Sequence, residues 1–88
     1  MMYTVKIKRK TERQLEKLPV KVQDAFFELV EDLRETGPIQ AGWPNYGRLT
    51  KDEYHCHLTY RYVACWRHQK ETITIEVYYV GSREKVPY

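Results

Sequence analysis

Two histidines one residue apart, His55 and His57, lie in a stretch where apolar and polar residues alternate, with Arg61 four residues further on. Alternation on a strand sends both imidazoles to one face. Lys6, on an N-terminal alternating stretch, is expected on that same face, and the Gly81-Ser82-Arg83-Glu84-Lys85-Val86-Pro87-Tyr88 segment is expected to leave the sheet edge beside it. These residue types suit RNA cleavage. Attack by a ribose 2′-hydroxyl on its own phosphate needs a base, an acid for the departing 5′-oxygen, and cations for the charge that builds up. Imidazole, with an ordinary pKa of about 6.5, takes either proton role near neutrality. Guanidinium offers a planar fork of donors that matches phosphate oxygens. With enough fixed cations, such a site needs no metal.

Each of these residues also has a plainer reading. Two histidines on a strand are as often exposed side chains, Arg61 equally suits a surface cation or a contact for a protein partner, and Arg83 suits an ion pair with Glu84 or Glu76. A zinc site from His55, Cys56, His57, Cys65 and His68 fails on spacing, because alternation turns Cys56 away from both histidines and no closely spaced cysteine pair is present. Cys56 reads as core and Cys65 has no adjacent base, so neither reads as a nucleophile. Glycine-rich phosphate or dinucleotide loops are absent.

Composition narrows the class. Eighty-eight residues suit one domain, spanning 1–88, with a single small core. No apolar run approaches the roughly 20 residues of a membrane helix, and the N-terminal stretch lacks a signal-peptide core. Two cysteines are too few for a disulfide scaffold and read as reduced thiols, so a cytoplasmic protein is expected, and the cleavage chemistry above is expected to need no cofactor. Fifteen basic residues against twelve acidic ones give a net charge of +3. The acids concentrate between Glu12 and Glu35, whereas bases cluster at Lys6–Lys10, Arg61–Lys70 and Arg83–Lys85. That separation predicts one face that attracts polyanions. Six of the eight tyrosines lie from Tyr54 onward. Aromatics among bases suit stacking on unpaired nucleobases, and they also suit β-sheets generally.

The elements that must hold these groups follow from periodicity. Tyr3, Val5 and Ile7 give a strand with one dry face. Thr11 with Gln14 three residues on matches a capping box that opens a short helix ending near Leu18. Pro19 is expected in the first turn of a second helix, whose stripe is Val22, Ala25, Phe26, Leu29, Val30 and Leu33. Gly37-Pro38 ends it, and residues 37–48 read as loop. Tyr54, Cys56, Leu58, Tyr60, Tyr62, Ala64 and Trp66 then alternate through two strands joined near Leu58–Tyr60. An odd-length turn would keep Arg61 with the histidines, whereas a two-residue turn would oppose them. A last strand over Thr72–Val80 places Ile73, Ile75, Val77 and Tyr79 inward. The resulting order, β-α-α-β-β-β, implies an α+β domain: a two-helix hairpin on one face of a small, mostly antiparallel sheet.

Over nearly its whole length the chain resembles the RelE/ParE toxin superfamily. The resemblance rests on the helical hairpin, Gly47-Arg48-Leu49, Tyr54-His55-Cys56-His57-Leu58, Tyr60-Arg61, and above all the tail from Tyr78 to Tyr88. It implies the toxin of a type II toxin–antitoxin system: a metal-independent, ribosome-dependent messenger RNA endonuclease leaving a 2′,3′-cyclic phosphate. By the same resemblance the catalytic set is His55, His57, Arg61, Arg83 and Tyr88; the basic residues Lys6, Lys8, Arg48, Arg67 and Lys85 are expected to add salt-sensitive contacts to the RNA backbone. Relatives commonly carry lysine or arginine where this chain has histidines, so fixed charge is lower and acid–base capacity higher. The implied partners are an antitoxin, messenger RNA and the ribosome, with higher-order toxin–antitoxin assembly and no membrane. Two rival functions share the fold: a ParE-like protein that inhibits DNA gyrase by binding alone, and an inactive RNA-binding relative. The His55/His57/Arg83/Tyr88 set is what a pure binder would not need.

Overall fold

The computed structural model describes residues 2–87, with the elements β1 Thr4–Ile7, α1 Arg9–Glu16, α2 Val20–Thr36, β2 Gly47–Arg48, β3 Glu53–Thr59, β4 Tyr62–His68 and β5 Thr74–Ser82. Among these residues the strands form one five-stranded sheet in the order β1-β5-β4-β3-β2. The β1–β5 pair is parallel and the other pairs are antiparallel. The α+β class and the order of the major elements match the sequence expectation, and β2 is an additional short edge strand within the segment expected to be loop.

The apolar stripe of α2 drives the packing. Val22, Phe26, Leu29, Val30 and Leu33 are buried and Ala25 partly so, against Tyr54, Cys56, Leu58, Ala64, Trp66, Ile75, Val77 and Val80 of the sheet. Leu15 of α1 joins the same core. Pro19 is the N-cap of α2 rather than a first-turn residue. At the other end Gly37 takes φ +92°, a left-handed geometry suited to glycine. A Cβ there would also come within 2.7 Å of the Tyr3 ring. Gln40 donates its side-chain amide to the carbonyls of Asp32 and Gly37, satisfying groups the helix end leaves open. Trp66 ties the following loop down through Nε1 to the Pro38 carbonyl at 3.0 Å.

Three local expectations are corrected. The Thr11/Gln14 capping box does not form: α1 starts at Arg9 with Lys8 as N-cap and no side-chain cap, and Thr11 is buried within the helix. Ile73 lies ahead of β5 and is 47% exposed. The inward alternation of β5 also changes phase, because Trp66 pairs with Val77 while Cys65 pairs with Tyr79, leaving Tyr78 as the extra residue of a β-bulge. Beyond it Val80 faces the helices and Tyr79 the opposite side.

A second irregularity decides where the histidines point. The β3–β4 turn is Tyr60-Arg61, and a plain two-residue turn would set even positions of β3 against odd positions of β4. Thr59 does pair with Tyr62, but His57 pairs with Val63, so Leu58 is an inserted residue. The bulge restores even against even, and Tyr54, Cys56, Ala64 and Trp66 all reach the helix-side core.

Candidate functional site

With even positions committed to the core, His55 and His57 project from the face that α2 leaves uncovered. The register places His57 in a row with Val63 and Gly81, and His55 in a row with Cys65 and Tyr79. The centre of this face is not bare sheet. Val63, Cys65 and Tyr79 form a second small buried cluster, covered by Leu49, Tyr78 and Val86. The C-terminal segment therefore folds back across the face and seats a valine on it. Val63 and Cys65 are completely buried.

Both imidazoles are half-buried and held by the segment that precedes β2 and β3. Gly47 lies opposite His55, and a Cβ on Gly47 would sit 2.9 Å from His55 Nε2, so the bare glycine gives the ring its place. The His57 backbone N–H donates to the Pro44 carbonyl at 2.8 Å, and the Asn45 side-chain amide lies 3.4 Å from each ring nitrogen of His57. Asn45 itself adopts φ +51°, a left-handed conformation that asparagine tolerates. Burial, reinforced by the neighbouring His57 charge, lowers the pKa of His55 below its ordinary value, which favours the neutral imidazole.

The hairpin tip carries the two arginines. Arg61 is in the turn itself and is exposed; the Arg83 backbone N–H donates to the Arg61 carbonyl at 2.9 Å, so the tail is tied to the tip. The Arg83 guanidinium lies 4.8 Å from the Tyr60 ring centroid. Among the described residues neither Arg61 nor Arg83 forms an ion pair, so the expected pairing of Arg83 with Glu84 or Glu76 is not made. Arg61, Arg83, Tyr60, Tyr62, Ser82 and Glu84 line a cavity of about 460 Å³ at this end. A larger groove, about 1130 Å³, runs beside the last half of β5 and takes in Lys8, Lys10, Lys17 and Lys85.

The remaining cations divide. Lys6 pairs in register with Glu76 on the uncovered side, at the β1 edge and away from the histidines. Arg67 is neutralised: its guanidinium meets Glu76 at 3.0 Å and Glu53 at 3.6 Å and stacks on Tyr78 at 4.5 Å. Arg48 points the other way, bonding the Tyr54 hydroxyl at 3.3 Å over that ring, on the helix-covered side. Tyr88 lies outside the described residues. The structure thus brings His55 and His57 together on one face and Arg61 and Arg83 together at its hairpin end, and it separates Arg48 from both.

Cysteine chemistry finds no support. Burial pushes both thiols up to about 12, with each further opposed by a nearby group, so neither is a thiolate near neutrality. Cys56 lies in the helix-side core while both histidines lie on the other face, so the His-Cys-His run does not converge on a metal. Among the described residues no group of three His, Cys, Asp or Glu side chains is placed to hold one.

Sequence reasoning missed Asn45, Gly47, Tyr60 and Val86. Gly47 and Asn45 carried a signal as loop breakers, but what they pack against is fixed only by the β2–β3 pairing. Val86 carried none.

No protein-family model and no curated protein sequence matches the chain. Solved structures do. The toxin–antitoxin complex RelBE of E. coli contains a chain 26% identical, with a TM-score of 0.71, covering 94% of this chain and 99% of that one. In fold this chain is similar to the RelE toxins of such complexes. The archaeal RelE–RelB complex from Pyrococcus horikoshii OT3 gives a TM-score of 0.77 at 20% identity, over 98% of this chain and 100% of that one. The RelBE2 complex from Mycobacterium tuberculosis gives 0.72 at 23%, over 94% and 100%. This RelE-like chain therefore carries the whole fold, with histidines where its first central hairpin strand faces away from the helices. Among the described residues no helix is long and apolar enough to cross a membrane.

Proposed function

We propose that this chain is the toxin of a type II toxin–antitoxin system and that it cleaves messenger RNA on the ribosome in the cytoplasm, without a metal or cofactor. The observation that carries the reading is the pair of half-buried imidazoles on the uncovered face, with two guanidiniums that form no ion pair among the described residues at the adjoining hairpin end. A binding module gains nothing from an imidazole held neutral by burial; a general base does.

The steps follow from those groups. His55 takes the 2′-hydroxyl proton, and the 2′-oxygen attacks the adjacent phosphorus. The P–O5′ bond breaks as His57 gives a proton to the departing 5′-oxygen, leaving a 2′,3′-cyclic phosphate and a 5′-hydroxyl. Arg61 and Arg83 hold the non-bridging oxygens as their charge grows. Tyr88, matched by resemblance to the family's terminal tyrosine, stacks on a base or assists the leaving group. Lys6, Lys8 and Lys85 meet neighbouring phosphates, an interaction weakened by salt. The ribosome orients the message, which supplies the positioning that so sparse a site lacks.

The partner is an antitoxin. RelE crystallises with RelB in the matching complexes, and here the basic tail and tip suit an acidic segment that folds on binding. Primer extension on transcripts from expressing cells tests the whole reading. Cuts within reading frames that vanish with His55→Ala or Arg83→Ala support it. Growth arrest with DNA damage and intact messages would instead assign a gyrase inhibitor.

A further inference from the structure

Tyr60 has no part in the steps above, yet it is the most exposed large apolar side chain among the described residues, 75% accessible at the hairpin tip. A phenol ring held in water at a turn gains nothing from burial. One face of this ring is covered by the Arg83 guanidinium, 4.8 Å from its centroid. The Arg83 backbone N–H is bonded to the Arg61 carbonyl, so the tail starts against the hairpin tip. The cavity beside them, about 460 Å³, lies within the range of small-ligand sites. Among the described residues its lining combines two tyrosines, two arginines and Ser82, with Glu84 as the one acidic residue.

We infer that Tyr60, with Arg83 stacked on it, forms a subsite for one unstacked nucleobase next to the phosphate gripped by Arg61 and Arg83. This rests on the nuclease reading and names a substrate contact within it. Every nucleobase has a π-face, so an aromatic platform binds any base that is free of its neighbours, and a cation behind the ring strengthens the stack. The guanidiniums contribute a net positive charge despite Glu84, which selects a base attached to a phosphate over an apolar ring. Single-stranded RNA meets these requirements, and a duplex with its bases stacked inside does not. The described residues of the subsite all come from the hairpin tip, the end of β5 and the start of the tail.

The test uses the full chain and a short unstructured RNA oligomer made uncleavable by 2′-deoxy substitution. Binding is read by fluorescence anisotropy for the wild type, Tyr60→Phe, Tyr60→Leu and Tyr60→Ala. Tyr60→Phe should bind as the wild type does, while Tyr60→Leu and Tyr60→Ala should bind about tenfold more weakly, the effect of one lost base stack. A scan of single abasic positions along the oligomer should reveal one base whose removal weakens the wild type and leaves Tyr60→Ala unchanged. Equal binding by Tyr60→Ala and the wild type, or no such position in the scan, overturns the subsite while leaving the nuclease reading intact. Failure of the wild type itself to bind the free oligomer also overturns the subsite, whereas the nuclease reading, in which the ribosome presents the message, falls only if the transcripts of expressing cells stay uncut. Circular dichroism melting confirms that the exposed turn tolerates the substitutions.

Discussion

Gly47→Ala should cripple RNA cleavage at a moderate cost in stability. Gly47 does not use a left-handed backbone, so alanine costs nothing there in conformation. The added Cβ would stand 2.9 Å from His55 Nε2. Ordinary carbon contacts lie at about 3.5–4.0 Å, so the imidazole must retreat by roughly 0.5–1 Å. A side chain can absorb that by leaving its rotamer well, at about 0.5–1.5 kcal/mol. For a domain of this size that lowers the melting temperature by about 4–8 °C per kcal/mol, leaving the protein folded. Proton abstraction is far less forgiving, since a misplacement near 1 Å can cost about 10²-fold. Single-turnover cleavage of a ribosome-bound message should therefore slow by roughly 10- to 100-fold, and His55→Ala should add little to Gly47→Ala, because both act through one ring. A folded Gly47→Ala protein that cleaves within about threefold of the wild-type rate would refute the claim that Gly47 sets the position of a catalytic imidazole.

Other outcomes follow from the same geometry. Arg67→Ala should destabilise the fold by about 1–2 kcal/mol, more than an exposed ion pair is worth, because it takes the cation from Glu76, leaves Glu53 with the Tyr78 hydroxyl and removes the stack on Tyr78; the urea midpoint reads this, and Arg67→Lys should recover only part. Phe26→Ala, emptying the fully buried centre of the helix–sheet core, should cost about 3–5 kcal/mol in the same assay. Acidification tests His55. Its folded pKa is lowered, so the unfolded chain binds the proton more tightly, and the stability this group contributes is present above about pH 6.5 and lost as pH falls from there through the lower folded value. The melting temperature should drop over that window, and His55→Gln should flatten the drop; an unchanged profile would contradict the burial of His55.

The parts of the structure legible in the sequence are those fixed by short-range periodicity. The α2 stripe and the alternation of β3 and β4 each span several repeats, and both settle into one core as their patterns require. The same alternation put both histidines on one face. The places where reading along the chain broke down are bulges and long-range closures. Leu58 and Tyr78 are inserted residues in their strands, and nothing in their composition marks an insertion, yet the first decides that even positions face even across the hairpin and the second sends Tyr79 away from the core. Arg48 looked equivalent to the other cations until its pairing with Tyr54 turned it to the helix-covered side. The seating of Val86 over Val63 and Cys65 joins residues more than 20 positions apart, beyond the reach of any local pattern. The Thr11/Gln14 motif failed for the opposite reason: a local cap lost to burial, since Thr11 serves the interior of α1 rather than its start.

The most direct test of the proposed chemistry is the end group left on the RNA. Programmed ribosomes carrying a defined message are incubated with the purified chain, and the 3′ termini of the upstream fragments are identified by mass spectrometry. Attack by the neighbouring 2′-oxygen, with His55 and His57 handling the protons, leaves 2′,3′-cyclic phosphate ends that disappear with His55→Ala. Fragments ending in a 3′-hydroxyl, or a message that stays whole while the chain still arrests growth, would contradict the mechanism.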